Sequence, residues 1–158
     1  IAFPLPDPGI LARREEIVAG LAQLVAADAL ITAEDERRPY ETDALTAYRR
    51  LPLAVVLPST TQEVAAVLKF CGEQGVPVVP RGAGTSLAGG AIPQEDAVVI
   101  GVSKMNRILA IDYANRTAKV QAGVTTLAVT GEVSAEGFFY APDPSSQLAC
   151  SIGGNIGM

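Results

Sequence analysis

Residues 80 to 90 read Pro-Arg-Gly-Ala-Gly-Thr-Ser-Leu-Ala-Gly-Gly and follow directly on a short apolar run. Gly82, Gly84, Gly89 and Gly90 permit positive φ angles and close approach of the backbone to a ligand. Successive N–H groups in such a loop turn inward and form a nest for an anion. Thr85 and Ser86 add hydroxyl donors suited to phosphate oxygens, and Arg81 either adds a charge or pairs with a nearby carboxylate. The loop does not end in Gly-Lys-Ser/Thr, so it is not a Walker loop. It also lacks the third glycine of a Rossmann turn and leads to a strand rather than opening a helix. Taken alone, these residues fit either a phosphate site or a plain flexible turn.

A second segment of the same character runs from Pro142 to Gly154. Pro142 and Pro144 hold the chain around Asp143, and Ser145, Ser146 and Ser151 supply donors. Gly153-Gly154-Asn155 lets the backbone touch a flat or anionic ligand. The two segments fit two edges of one large ligand, or two unrelated loops. The chain contains no histidine, which removes Ser-His-Asp and Cys-His catalysis, histidine bases and most zinc chemistry. The two cysteines, Cys71 and Cys150, make neither a disulfide framework nor a metal site; Cys71 is expected to pack as a small apolar residue, and Cys150, near the second segment, to pack rather than serve as a tether. No catalytic residue and no metal ligand is expected within these residues.

The elements that must hold these loops are built mainly from small aliphatic residues. Of 158 residues 49% are apolar but only 5% aromatic, and 15 are glycine, which suits close packing of helices on strands. A net charge of -5, with no basic cluster larger than short pairs such as Arg13-Arg14, Arg37-Arg38 and Arg49-Arg50, argues against a nucleic-acid partner. The opening Ile1-Ala2-Phe3-Pro4 lacks the basic and apolar regions of a signal peptide, and no stretch approaches a membrane span, so a cytoplasmic setting is expected.

Asp7 and Pro8 open a helix as N-cap and first helical residue, and Ile17, Leu21, Leu24 and Val25 continue its apolar face. Thr32 to Arg50 reads as an irregular surface excursion. Leu53 to Leu57 is a buried strand. Ser59-Thr60-Thr61 with Glu63 caps a helix that Gly75 stops, and Val76 to Pro80 is a second strand with Pro77 at its start. That strand–helix–strand unit requires parallel strands. Ala97 to Ile100 is a third strand. Residues 108 to 112 and 118 to 122 form a hairpin around Asn115, which reads as a turn rather than a glycosylation site. Thr125 to Glu136 is a helix closed by Gly137, and Ser151 to Met158 a glycine-rich loop.

Three stretches together resemble a known family. They are Arg37-Arg38-Pro39-Tyr40-Glu41-Thr42-Asp43, Pro80 to Leu87, and Tyr140-Ala141-Pro142-Asp143-Pro144-Ser145-Ser146-Gln147 with Cys150-Ser151-Ile152-Gly153-Gly154-Asn155. The chain resembles the FAD-binding subunits of bacterial glycolate oxidases, within the vanillyl-alcohol oxidase class of flavoproteins with a PCMH-type FAD domain. The resemblance implies an α+β fold, with a small parallel βαβ subdomain and the start of a second sheet subdomain. Residues 1–52 are then a helical and irregular lead-in, and residues 53–158 an FAD-binding domain incomplete at its C-terminal end.

The resemblance further implies that Arg81, Gly82, Ala83, Gly84, Thr85, Ser86 and Leu87, with Gly90 and Ala91, cradle the FAD pyrophosphate. Pro142, Asp143, Ser145, Ser146, Ser151, Gly153, Gly154 and Asn155 would line the rest of the nucleotide. FAD would be noncovalent, because the histidine tether of some members is impossible here. The implied activity is hydride transfer from a small 2-hydroxy acid, glycolate or D-lactate in type, with iron–sulfur and other oxidase subunits as partners through which the inner membrane face is reached. In this reading Met158 is the cut end of a longer protein whose cap domain carries the catalytic groups, and residues 1–158 alone oxidise nothing. The alternative is a nucleotide-binding or regulatory module with no reaction of its own.

Overall fold

The computed structural model describes residues 4–157; the readings that fell on Ile1 to Phe3 and on Met158 lie outside them. The chain folds around a four-stranded sheet in the order β1-β2-β4-β3. Strands β2 (Ala54–Val56), β4 (Val98–Gly101) and β3 (Val78–Arg81) run parallel, and β1 (Leu30–Ile31) pairs antiparallel with β2. The parallel βαβ unit is present, but β4 enters between its two strands. Burial explains the order. Every residue of β4 is buried, so it takes the centre. Pro80 has no N–H to give to a ladder, and β3 accordingly lies at the edge.

Helix α4 (Thr61–Gln74) joins β2 to β3. Thr60 Oγ1 accepts the Glu63 N–H at 3.1 Å, and the Glu63 carboxylate accepts the Thr60 N–H, which completes a capping box. At its other end Gly75 takes φ 68°, and the Val76 N–H closes onto Cys71 O at 2.8 Å. Val67 and Cys71 face inward and meet Ile17 and Leu21 against β2 and β4. Burial pushes the Cys71 thiol up to about 11, in keeping with its packing role.

The N-terminal helical face divides into α1 (Pro8–Ala12) and α2 (Arg14–Leu21). The break falls at Arg13, whose guanidinium donates to Gln74 Oε1 at 2.9 Å and Gln74 O at 3.1 Å. That contact ties the lead-in to the C-terminus of α4. The segment from Thr32 to Arg50 is more than a surface excursion. It carries the short helix α3 (Glu34–Arg37) and a 3-10 turn, and it buries Arg37 and Asp43. Buried Arg37 donates to the carbonyls of Thr32 and Pro52, so polar pairing rather than apolar patterning carries the segment inward.

A second sheet holds β5 (Ile108–Asp112) and β6 (Thr117–Val120), an antiparallel hairpin. The Asp112 carboxylate accepts from Asn115 N–H and Nδ2, and Arg116 takes φ 53°, so Asn115 does serve the turn. Helix α5 (Thr126–Val133) follows, capped by Thr125, and Gly137 ends its 3-10 extension at φ 78°. The expected loop at Ser151 contains instead a short helix, α6 (Ile152–Ile156), with Ser151 as N-cap. Its glycines serve contact rather than flexibility, because a Cβ on Gly153 would lie 2.9 Å from Ala122 O.

Thr60→Ala removes the α4 cap, and about 1 kcal/mol of domain stability is expected to go with it. Chemical denaturation measures the loss; an unchanged midpoint would show that the capping box contributes nothing.

Candidate functional site

β3 delivers the glycine-rich segment to the edge of the first sheet, and α6 reaches it from the second part of the chain. The Gly82 backbone meets Ser151 and Gly154 so closely that a Cβ on Gly82 would collide with Ser151 Oγ. The two segments therefore line one cavity of about 290 Å3. Arg81, Gly82, Ala83, Gly84, Thr85, Ser86, Gly90 and Ala91 come to it from one side, and Ser151, Gly153, Gly154 and Asn155 from the other. Pro80, Val102, Ala122, Cys150 and Gly157 complete the lining; of these, Val102 and Ala122 carried no signal of a site in the sequence. Leu87, Pro142, Asp143, Ser145 and Ser146 are not among the lining residues. Leu87 is exposed beside the cavity. The turn that follows Pro144 folds over the N-terminus of α5, where Gln147 O accepts from Thr126 Oγ1 at 3.1 Å.

The hydrogen bonding of the two sides differs. In α6 the amides are committed to protein. The Ile152 N–H donates to Val124 O, Gly153 N–H to Ala122 O, Gly154 N–H to Ser151 Oγ and Asn155 N–H to Ser151 O, all at 2.8–3.2 Å. The N–H groups of Gly82 through Leu87 have no acceptor among the described residues. Gly82 to Ser86 of this run line the cavity, and backbone donors without acceptors beside the hydroxyls of Thr85 and Ser86 are the donor set an anionic group requires. Gly84 at φ 71° gives that run its turn. A pyrophosphate therefore fits here, and the fit rests on the first segment.

Arg81 does not point its guanidinium at the ligand space alone. It donates to Thr42 O at 2.6 Å, Pro39 O at 3.3 Å and Ala91 O at 3.5 Å, and lies 5.6 Å from the Tyr40 ring centroid. Burial draws its pKa down, while Tyr40 and Asp43 act the other way, and an arginine in this position stays cationic. It belts the lead-in to the loop as well as adding charge. Cys150 lies within 3.7 Å of Thr126 Oγ1 and 3.6 Å of Asn155 Nδ2. Burial pushes its thiol up, but hydrogen bonds with Ser146, Thr126 and Asn155 outweigh burial and leave the pKa lowered.

A larger cavity, of about 640 Å3, opens elsewhere, between the hairpin, α5 and Phe138-Phe139-Tyr140. Its walls are mainly apolar side chains and offer no row of free amides, so size does not identify the anion site. Among the described residues no group of acidic, cysteine or histidine side chains is arranged to hold a metal ion.

The family described as FAD binding domain matches residues 52–158. Over 143 residues the chain is 46% identical to the glycolate oxidase subunit GlcD of Escherichia coli K12, which covers 90% of this chain and 29% of that protein. A D-lactate dehydrogenase of Anaerostipes hadrus is 35% identical over 133 residues, 84% of this chain and 28% of that one. Among solved structures, an alkyldihydroxyacetonephosphate synthase superposes with a TM-score of 0.78 at 22% identity, over 98% of this chain and 30% of that chain, a likeness of fold. The chain thus spans less than a third of the length of the relatives it matches.

Gly84→Val forces a β-branched residue to φ 71° and drives its Cβ into the Arg81 guanidinium. Loss of FAD binding is expected in a fluorescence titration of the complete polypeptide; unchanged affinity would remove the loop from the site. Arg81→Ala, which frees three carbonyls, is expected to lower stability by roughly 1.5–3 kcal/mol and to weaken FAD binding with it. A melt as stable as that of the unaltered protein would contradict the belt.

Proposed function

The chain belongs to the FAD binding domain family, and from that premise we propose that it is the cofactor-holding part of a flavin-dependent oxidase or dehydrogenase of small 2-hydroxy acids. Its architecture is the α+β PCMH-type FAD-binding fold, and its cofactor is FAD. The reading is carried by the run of acceptor-free amides from Gly82 to Leu87, in a chain whose relatives include a glycolate oxidase subunit and a D-lactate dehydrogenase. Residues 53–158 are taken as the FAD-binding unit and residues 1–52 as a lead-in packed against it.

When bound, FAD supplies the acceptor for a hydride from the substrate's C2, leaving a 2-oxo acid. The residues of this chain bind and orient. The amides of Gly82 to Leu87 and the hydroxyls of Thr85 and Ser86 meet the pyrophosphate. Arg81 holds the loop to the lead-in and offsets phosphate charge. Ser151, Gly153, Gly154 and Asn155 close the opposite wall, and Pro142, Asp143, Ser145 and Ser146 extend the site along the rest of the nucleotide. FAD is held noncovalently: the chain offers no histidine, and the buried Cys150 thiol is engaged with Thr126, Ser146 and Asn155.

This chain has no histidine to take the hydroxyl proton of a substrate, and that step is proposed to fall to groups outside residues 1–158. The E. coli relative is by name one subunit of an oxidase. Partners here are proposed to include iron–sulfur and other oxidase subunits that carry electrons onward. No helix among the described residues is long and apolar enough to cross a membrane. The proposed setting is the cytoplasm, with the inner membrane reached through partners.

The complete polypeptide should purify with flavin absorbance and reduce a redox dye when given glycolate or D-lactate. Residues 1–158 alone, with excess FAD, should reduce none. A colourless protein that binds ADP and turns over neither acid would mark a nucleotide-binding module without a reaction.

A further inference from the structure

The segment from Arg37 to Asp43 singled itself out in the sequence, yet none of its residues lines the cofactor cavity. Its buried acid, Asp43, stands 46 positions from the nearest residue it bonds in the loop. Oδ2 accepts the Gly89 N–H at 3.0 Å, and Oδ1 accepts the Leu45 N–H at 2.9 Å. Between those two contacts the Ala44 N–H points at Gly84 O, 3.0 Å away, and Ser86 O, 3.1 Å away. Asp43 is only 4% exposed, so this is an interior fastening and not a solvated pair.

Peptide planarity gives the fastening its consequence. The carbonyl of one residue and the N–H of the next share a plane and point in opposite directions. Fixing Gly84 O and Ser86 O on Ala44 therefore turns the N–H groups of Thr85 and Leu87 away from the lead-in. Without the fastening, a glycine-rich loop is free to rotate these peptides and to turn carbonyl oxygens toward the anion. The charge on Asp43 would by itself oppose an anion. Arg81 offsets it: its guanidinium bonds the neighbouring Thr42 O at 2.6 Å, and although burial lowers the arginine's pKa, the charge on Asp43 works against that lowering.

We propose that Asp43 is a positioning residue for the cofactor, which touches no ligand and orders the amides of the 82–87 loop through Gly89 and Ala44. This inference rests on the FAD reading of the same cavity. It places a determinant of cofactor affinity in the lead-in, ahead of the residues the family match covers.

The test is FAD titration of the complete polypeptide carrying Asp43→Ala, Asp43→Asn, Gly84→Ala, or Asp43→Ala with Gly84→Ala. Loss of two hydrogen bonds to a charged acceptor should weaken FAD binding roughly tenfold to a hundredfold in Asp43→Ala. Asparagine offers one acceptor oxygen in the same shape, so Asp43→Asn should recover part of that loss. If Asp43 acts through the loop, the double variant loses less than the product of the two single losses. A purely structural role predicts multiplied losses, and that result overturns the proposal, as does unchanged affinity in Asp43→Ala. Should Asp43→Ala fail to fold, Asp43→Asn decides: full affinity there overturns the proposal, and weakened affinity coupled to Gly84→Ala supports it. An unaltered protein that binds no FAD sinks the cofactor reading itself. A protein that binds FAD but is indifferent to Asp43 sinks only this inference.

Discussion

The structure turns on a run of backbone amides kept without protein acceptors. Unpaired amides near a protein interior are costly, and a loop rich in glycine has every freedom to satisfy them by rearranging. From Gly82 to Leu87 that does not happen. The loop is fastened at its back instead, by Ala44 on two of its carbonyls and by Asp43 on Gly89. Arg81 then ties the start of the loop to Thr42 and Pro39. Two of the loop's own carbonyls, those of Gly84 and Ser86, are thereby held on Ala44.

The rest of the chain supplies what that arrangement leans on. The buried strands β2 and β4 carry β3 at their edge, and β3 fixes where the loop begins. The lead-in is held to the same sheet by Arg13 on Gln74, by β1 on β2, and by Arg37 on Pro52 O. Opposite, α6 presses its glycine backbone against Ala122 and Gly82, which brings a second wall close enough to enclose a thin ligand. In the proposed reading these residues hold and orient the cofactor.

Much of this was legible where the signal is local. The capping box of Thr60 and Glu63, the stop at Gly75, the hairpin turn at Asn115 and the donor-rich loop after Pro80 each depend on residues a few positions apart. The entry of β4 between β2 and β3 was not legible, since a buried strand's neighbours are chosen by which run is most apolar, not by order along the chain. The helix at Ile152–Ile156 was hidden because Gly153 and Gly154 read as a loop open to a ligand, whereas the close approaches to Ser151 and Ala122 use them as contact surfaces within the protein. The fastening by Asp43 was hidden for the same reason as the buried Arg37. A polar residue carried inward by a partner far along the chain leaves no periodic trace.

Amide hydrogen exchange of the complete polypeptide, with and without FAD, tests the amide cradle most directly. Binding should slow exchange at residues 82–87, whose N–H groups gain acceptors only from the ligand. Protection confined to the hairpin and to Phe138-Phe139-Tyr140, with residues 82–87 exchanging as before, would place the cofactor in the larger cavity and contradict the assignment.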